Sequence, residues 1–192
     1  MTKRFLCCIA IAVGLTACGY NEVIDRDEEV KASWAEVQNQ YQRRADLIPN
    51  LVSTVKGAAD FEKSTLQAVV EARAKVGQMK VDASVIDNPQ KFRAFEKAQG
   101  ALSSALSRLL VVAERYPELK ATQSFRDLQV QLEGTENRIA VARRRYIAAV
   151  AEYNKVVLRF PSSIGASMRN KKERPTFEAT TPGAEKPPEV KF

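Results

Sequence analysis

Apolar residues return every seven positions along three long stretches of this chain, and that spacing leaves few folds open to it. In the first stretch Trp34, Tyr41, Ile48 and Val55 form one row, and Val23, Val30, Val37, Arg44, Leu51 and Ala58 form the interleaved one. In the second, Phe95, Leu102, Leu109 and Tyr116 alternate with Phe92, Leu106 and Ala113. The third runs Phe125, Leu132, Ile139, Tyr146, Tyr153 and Phe160, with Leu128, Ala142, Ala149 and Val156 between them. Paired rows held over several heptads specify helices packed at shallow angles. A less regular segment through Leu66, Val69 and Val76 supplies a fourth helix. The expectation is an all-α fold: an antiparallel up-and-down four-helix bundle with long helices.

Local signals set the boundaries. Asn88-Pro89 reads as a helix start, a capping side chain followed by proline at the first helical position. Tyr116-Pro117 ends that helix, because the residue before proline avoids the helical region. Ser124, with Asp127 three residues on, is placed to cap the last helix, and Pro161 to stop it. Residues 161–192 hold five of the eight prolines and no apolar period, so an irregular C-terminal tail is expected, extended as a strap or mobile. Lys171-Lys172-Glu173-Arg174 within it reads as a solvated run in preference to a lipid-facing patch.

The first residues have a different logic. Met1 to Arg4 is a short basic segment, Phe5 to Gly14 is apolar, and Leu15-Thr16-Ala17-Cys18 puts small residues before a cysteine. This has the form of a secretory signal and is too short for a spanning helix of about 20 apolar residues. LTAC-G resembles the lipobox of bacterial lipoproteins, which implies cleavage after Ala17 and lipid attachment at Cys18; an ordinary cleaved signal with a free thiol is the alternative. The expected division is therefore a signal peptide at 1–17, a lipid-anchored helical body at 18–160 and the tail at 161–192. Cys7 and Cys8 leave with the signal, and loss of Lys3 and Arg4 takes the formal charge from +7 to +5. Two or three acyl chains hold a protein stably to a bilayer. The expected partners are the membrane, through lipidated Cys18, and an envelope protein, with no nucleic acid because the chain is exported. Gly19, where aspartate is absent, favours the outer membrane in a two-membrane cell, by resemblance to lipoprotein sorting.

Chemistry-bearing patterns are sparse. The chain has no histidine, which removes the commonest general base and the Glu-x-x-His pairs of carboxylate di-iron bundles. No phosphate-binding loop, dinucleotide fingerprint or nucleophile elbow occurs. Asp27-Glu28-Glu29 reads as solvated helix charge, Tyr41, Tyr146 and Tyr153 as core, and Arg143-Arg144-Arg145 as flanking and outward residues. No catalytic residue, metal site or cofactor is expected.

Four segments carry a resemblance. YNEVIDRDEEVKASWAEVQNQYQRRADLIPNLVSTVKG (20–57), EARAKV (71–76), ENRIAVARRRYIAAVAEYN (136–154) and FPSSIGA (160–166), with the ending FEATTPGAEKPPEVKF, resemble the LemA family of bacterial membrane-associated helical proteins. The resemblance implies a helical bundle and membrane association, with no established enzymatic activity. Some relatives carry an N-terminal membrane helix with the bundle in the cytoplasm. This chain departs from them in its lipobox cysteine, so their topology does not transfer, and neither do the links of relatives to magnetosome membranes or envelope proteases.

RRADLIPNLV (43–52) holds the two oddities of the first helix. Pro49 either kinks one continuous helix or begins a second; the seven-residue register crosses it without slipping, which favours the kink. Arg44 sits on an apolar row. If the first and last helices are antiparallel and Tyr20 lies near Phe160, facing positions sum to about 180 at equal rise, which sets Asp25 opposite Lys155 and Arg44 opposite Glu136. Three readings stay open for the arginine: a structural ion pair with Glu136 or its neighbour Glu133, a stem laid along apolar surface with its head in water, or a partner-binding surface of Arg43, Arg44 and Asn50. The functional expectation is a non-enzymatic envelope lipoprotein acting as scaffold or adaptor. The alternatives are a binding module for a small ligand or wall polymer, or a regulatory subunit of an envelope protease.

Overall fold

The computed structural model describes residues 2–58, 61–79 and 82–178, with side chains from residue 21 onward. Cys18, Ala17 and the FEATTPGAEKPPEVKF ending beyond Glu178 lie outside the described side chains. Six α-helices and one 3-10 turn make up the described residues, which contain no strand. They are α1 (Thr2–Lys56), α2 (Lys63–Gly77), α3 (Pro89–Ala113), α4 (Pro117–Ala121), α5 (Gln123–Leu158) and α6 (Ser162–Met168), with the 3-10 turn at Ala83–Val85.

The long helices α1 and α5 lie side by side, and α2 packs on α3. Trp34 meets Tyr146 with ring centroids 5.4 Å apart, and Arg44 meets Glu136 at 2.7 Å. As one number rises the other falls, so α1 and α5 run antiparallel. The first-row residues Trp34, Tyr41, Ile48 and Val55 are all buried, as are Phe92, Phe95, Leu102, Leu106 and Leu109 on α3. Burying a large apolar side chain stabilises by about 1.5–3 kcal/mol, so these rows supply most of the packing energy.

The caps follow the local chemistry. The Asn88 side chain accepts hydrogen bonds from the backbone N–H groups of Gln90 and Lys91, and Pro89 takes the first helical position. The start of α5 corrects the expectation of Ser124: Thr122 is the cap, accepting from the Phe125 N–H, and Ser124 is already helical. Pro117 ends α3's path and opens α4. Pro49 lies within α1, which runs through it to Lys56 without a restart.

The tail departs from the expected irregular segment over one part only: Ser162–Met168 forms α6, which packs on α1 and α5. Ser162 donates its hydroxyl to the carbonyl of Val156 at 2.7 Å, fastening α6 beneath the end of α5. Residues 171–178 then run extended, with Arg174 and Phe177 buried. Phe160, read as the last seam residue, is 81% exposed because α5 stops at Leu158, two residues short of it.

The apolar interior divides into two clusters. One contains Val23 to Tyr41 of α1 with Phe92, Phe95, Ile139, Tyr146, Tyr153 and Phe177. The other contains Ile48 to Val55 with Leu102, Leu109, Phe125 and Leu132. The break falls between 41 and 48 on α1, 95 and 102 on α3, and 132 and 139 on α5, and what fills it is polar.

Candidate functional site

Arg44 occupies that break. It is 1% exposed, so the readings that sent it to solvent or to a partner surface are corrected; of the three residues of that surface, Arg43 and Asn50 are exposed and Arg44 is not. Its Nη1 donates to Ser103 Oγ at 2.5 Å and to Glu136 Oε1 at 2.7 Å, and its Nη2 donates to Gln99 Oε1 at 2.5 Å and to the Gln99 carbonyl at 3.3 Å. The guanidinium also lies 5.0 Å from the Tyr41 ring centroid, a cation–π distance. Gln99 and Thr135 are buried beside it. Glu136 keeps nearly half of its side chain in water, so the pair bridges core and solvent. Glu133 instead accepts from Gln129 on its own helix. A buried guanidinium is tolerated only when it is paired, and two helices, α3 and α5, supply acceptors to Nη1 and Nη2 here, while Nε has no hydrogen-bond partner among the described residues.

The EARAKV and RRADLIPNLV segments meet one turn further along α1. Proline at 49 has no N–H to give to the carbonyl four residues back, that of Ala45. Arg73 of α2 donates its Nε to that carbonyl at 3.2 Å.

A second charged centre lies nearer the start of α1 and overturns two expectations. Asp27 is not solvated helix charge: it is 3% exposed. Arg174 is not part of a solvated run: it is 4% exposed. Arg174 Nη2 lies 2.9 Å from Asp27 Oδ1 and 2.8 Å from Asp87 Oδ1, and Lys171 and Lys31 each reach Asp27 Oδ2 at 2.9 Å. Burial raises the Asp27 carboxyl, but Lys171, Lys31 and Arg174 outweigh it and hold the group below the usual carboxylate range. The expected opposition of Asp25 and Lys155 does not give a pair; Lys155 meets Glu152 at 2.5 Å.

The main chain of the extended segment is tied down by the ENRIA block. Asn154 donates to the Arg174 carbonyl at 3.0 Å and accepts from the Arg174 N–H at 2.9 Å, a reciprocal pair that mimics strand pairing. Tyr153 and Tyr146 donate their hydroxyls to the carbonyls of Lys172 and Pro175, both at 3.1 Å. These tyrosines are core, as expected, and are also the anchors of a strap. Phe177 then seats among Trp34, Phe92 and Tyr146, with centroids 6.5, 4.8 and 5.6 Å away. Arg143 covers its ring at 4.3 Å and lies 3.5 Å from Glu96. Burial pushes the Glu96 carboxyl up; Arg143 opposes this only in part.

The sequence matches the LemA family across residues 33–192. The chain belongs to the LemA family. Among curated relatives it is 26% identical over 158 residues to "Magnetosome protein MamQ 2" of Paramagnetospirillum magneticum, covering 74% of this chain and 58% of that one. It is 25% identical to "Magnetosome protein MamQ" of Magnetospirillum gryphiswaldense over the same shares. "Protein LemA" of Metamycoplasma hominis is 22% identical over 141 residues, 73% of this chain and 60% of that protein. The chain thus spans less than two thirds of the length of these relatives. In this LemA-family chain, no described helix is long and apolar enough to cross a membrane. Among the described residues no group of three or more acids, cysteines or histidines is placed to hold a metal ion.

The sequence leaves the tail open between a strap and a mobile segment, and gives neither the residues that anchor the strap nor Gln99 and Ser103 as partners of Arg44. The signal for those anchors is tyrosine on a seam, whose hydroxyl needs a partner when its ring is buried.

Proposed function

We propose that this LemA-family protein is a non-enzymatic scaffold or adaptor of the cell envelope: an antiparallel four-helix bundle tethered to a membrane through lipidated Cys18, with Ala17 the last residue of the cleaved signal. The observation that carries this reading is how its buried polar groups are used. Arg44 is taken up by Ser103, Gln99 and Glu136, and Asp27 by Arg174, Lys171 and Lys31. Each centre fastens separate parts of the chain together, so interior charge serves rigidity and register. The membrane tether is supported by the basic, apolar and small-residue order of positions 1–18. Relatives named as magnetosome proteins fit a place at a membrane surface.

Two measurements test it. Cys18→Ser should move the protein from the membrane fraction to the soluble one; unchanged fractionation removes the anchor. Crosslinking of the lipidated protein in native extracts should capture a reproducible envelope protein, the result an adaptor requires.

The binding-module reading has one observation in its favour. At the far end of α1 two grooves of about 690 Å³ each open, one lined by Thr54, Gly57, Tyr116 and Leu119, the other by Phe61, Leu66 and Val70. Retention of the protein on isolated wall polymer, lost with Tyr116→Ala, would favour that reading over the adaptor.

A further inference from the structure

The end of α5 and the short helix α6 carry a surface that runs against the ordinary pattern of a folded domain. In α6 the small residues Ser162 and Ala166 face the body, whereas Ile164 is 48% and Met168 80% exposed. Residues 162 and 164 lie about 200° apart around a helix, so the helix is amphipathic with its larger apolar residues outward. Leu158, at 64%, and Phe160, at 81%, extend the same region. Four of the nine large apolar side chains exposed among the described residues thus fall within 158–168, including the two most exposed. Scattered exposed apolar residues need no explanation, but a cluster marks a contact surface.

The segment itself is basic, between the exposed acids Glu152 and Glu173. Residues 155–172 contain Lys155, Arg159, Arg169, Lys171 and Lys172 and no acid. Lys155 and Lys171 turn toward Glu152 and Asp27, while Arg159, Arg169 and Lys172 are exposed. Of the exposed acids at this end of α1, Glu22, Asp25, Glu28 and Glu29, the last two are engaged by Lys31 and Arg26 on the same helix. The antiparallel register, with Trp34 against Tyr146 and Arg44 against Glu136, sets Leu158, the last residue of α5, level with residue 22, and α6 packs on α1. The patch therefore sits at the end of the body from which the proposed anchor departs.

We infer that Leu158, Phe160, Ile164 and Met168, rimmed by Arg159, Arg169 and Lys172, form a bilayer-docking surface that seats against anionic phospholipid headgroups. This rests on the anchor reading above, which brings the surface to the bilayer. Apolar side chains of an interfacial helix enter the headgroup boundary by about 5–10 Å, and each nearby cation adds attraction to anionic lipid. Docking fixes orientation: the α6 end lies on the membrane, and the grooves at the far end of α1 are held away from it.

The chain has a single tryptophan, Trp34, which is buried in the core. Full-length protein extracted from its membrane fraction would be reconstituted in phosphatidylethanolamine–phosphatidylglycerol vesicles brominated high on the acyl chains. Flotation of the wild type first tests the anchor; a wild type that stays with the soluble fraction defeats the anchor reading and the docking surface with it. If it floats, Met168→Trp should add blue-shifted emission that the bromines quench, while Val111→Trp, at the opposite end, and Trp34 stay unquenched. Replacing phosphatidylglycerol with phosphatidylcholine, or adding Arg159→Gln and Lys172→Gln, should reduce that quenching. A floating Met168→Trp protein without quenching overturns the docking surface and leaves the anchor intact. Blue-shifted emission that is unquenched and fades on dilution would assign the patch to a second copy of the chain, which also overturns it.

Discussion

Arg73 of α2 donates its Nε to the main-chain carbonyl of Ala45, the acceptor that a proline at position 49 leaves without its helical partner. The contact explains how α1 carries a proline in its interior: a neighbouring helix supplies the missing donor, and the ladder loses one bond without an orphaned carbonyl. It also joins two stretches, RRADLIPNLV and EARAKV, that are separate in sequence.

Arg73→Met should therefore lower stability by about 1 kcal/mol, the net value of an ordinary hydrogen bond. In a Pro49→Ala background, where residue 49 supplies its own N–H, the same substitution should cost almost nothing. Urea denaturation of the four proteins measures the coupling; equal costs in both backgrounds would dissociate Arg73 from the proline.

Glu136 is half in water, but its removal should be expensive because Arg44 is not. Glu136→Gln leaves a buried guanidinium without its carboxylate and should cost about 3 kcal/mol. Arg44→Met with Glu136→Leu should recover much of what either single change loses. Additive losses in that cycle would mean that the two side chains touch without stabilising one another.

Asp27 makes the strap sensitive to acid. Its carboxyl is held below its unfolded value by Lys171, Lys31 and Arg174, which outweigh the effect of burial. A depressed carboxylate contributes stability that is present above the unfolded value, about 3.9, and lost as pH falls through the folded one. Hydrogen exchange of residues 171–178 should accelerate below about pH 4 ahead of the core of α1 and α5. Arg174→Met should produce the same acceleration at neutral pH, with a changed Trp34 emission because Phe177 leaves its ring. Protection of 171–178 unaltered by Arg174→Met would show that the tyrosine and Asn154 contacts hold the strap without the ion pair.

The seven-residue rows determined the long helices, most of their buried faces and the position of Arg44 on an otherwise apolar row, because helical period and rise are the same in every α-helix. For the same reason simple arithmetic between two antiparallel helices sets residue 44 across from residue 136. That the head of Arg44 lies in the core was decided by the tertiary structure. Arg44's remaining partners, Gln99 and Ser103, depend on how α3 is rotated against α1, and no period in either sequence carries that angle. The cap on α5 shifted to Thr122 because two neighbouring hydroxyls compete for one role and only the path of the preceding turn selects between them. Asp27 and Arg174 looked solvated because a charge run is usually a wet face, and nothing near either residue announces a partner some 150 positions away. An extended segment has no apolar repeat to read. Its place is fixed by Asn154, two tyrosine hydroxyls and an aromatic socket that exist only once α1, α3 and α5 have been assembled.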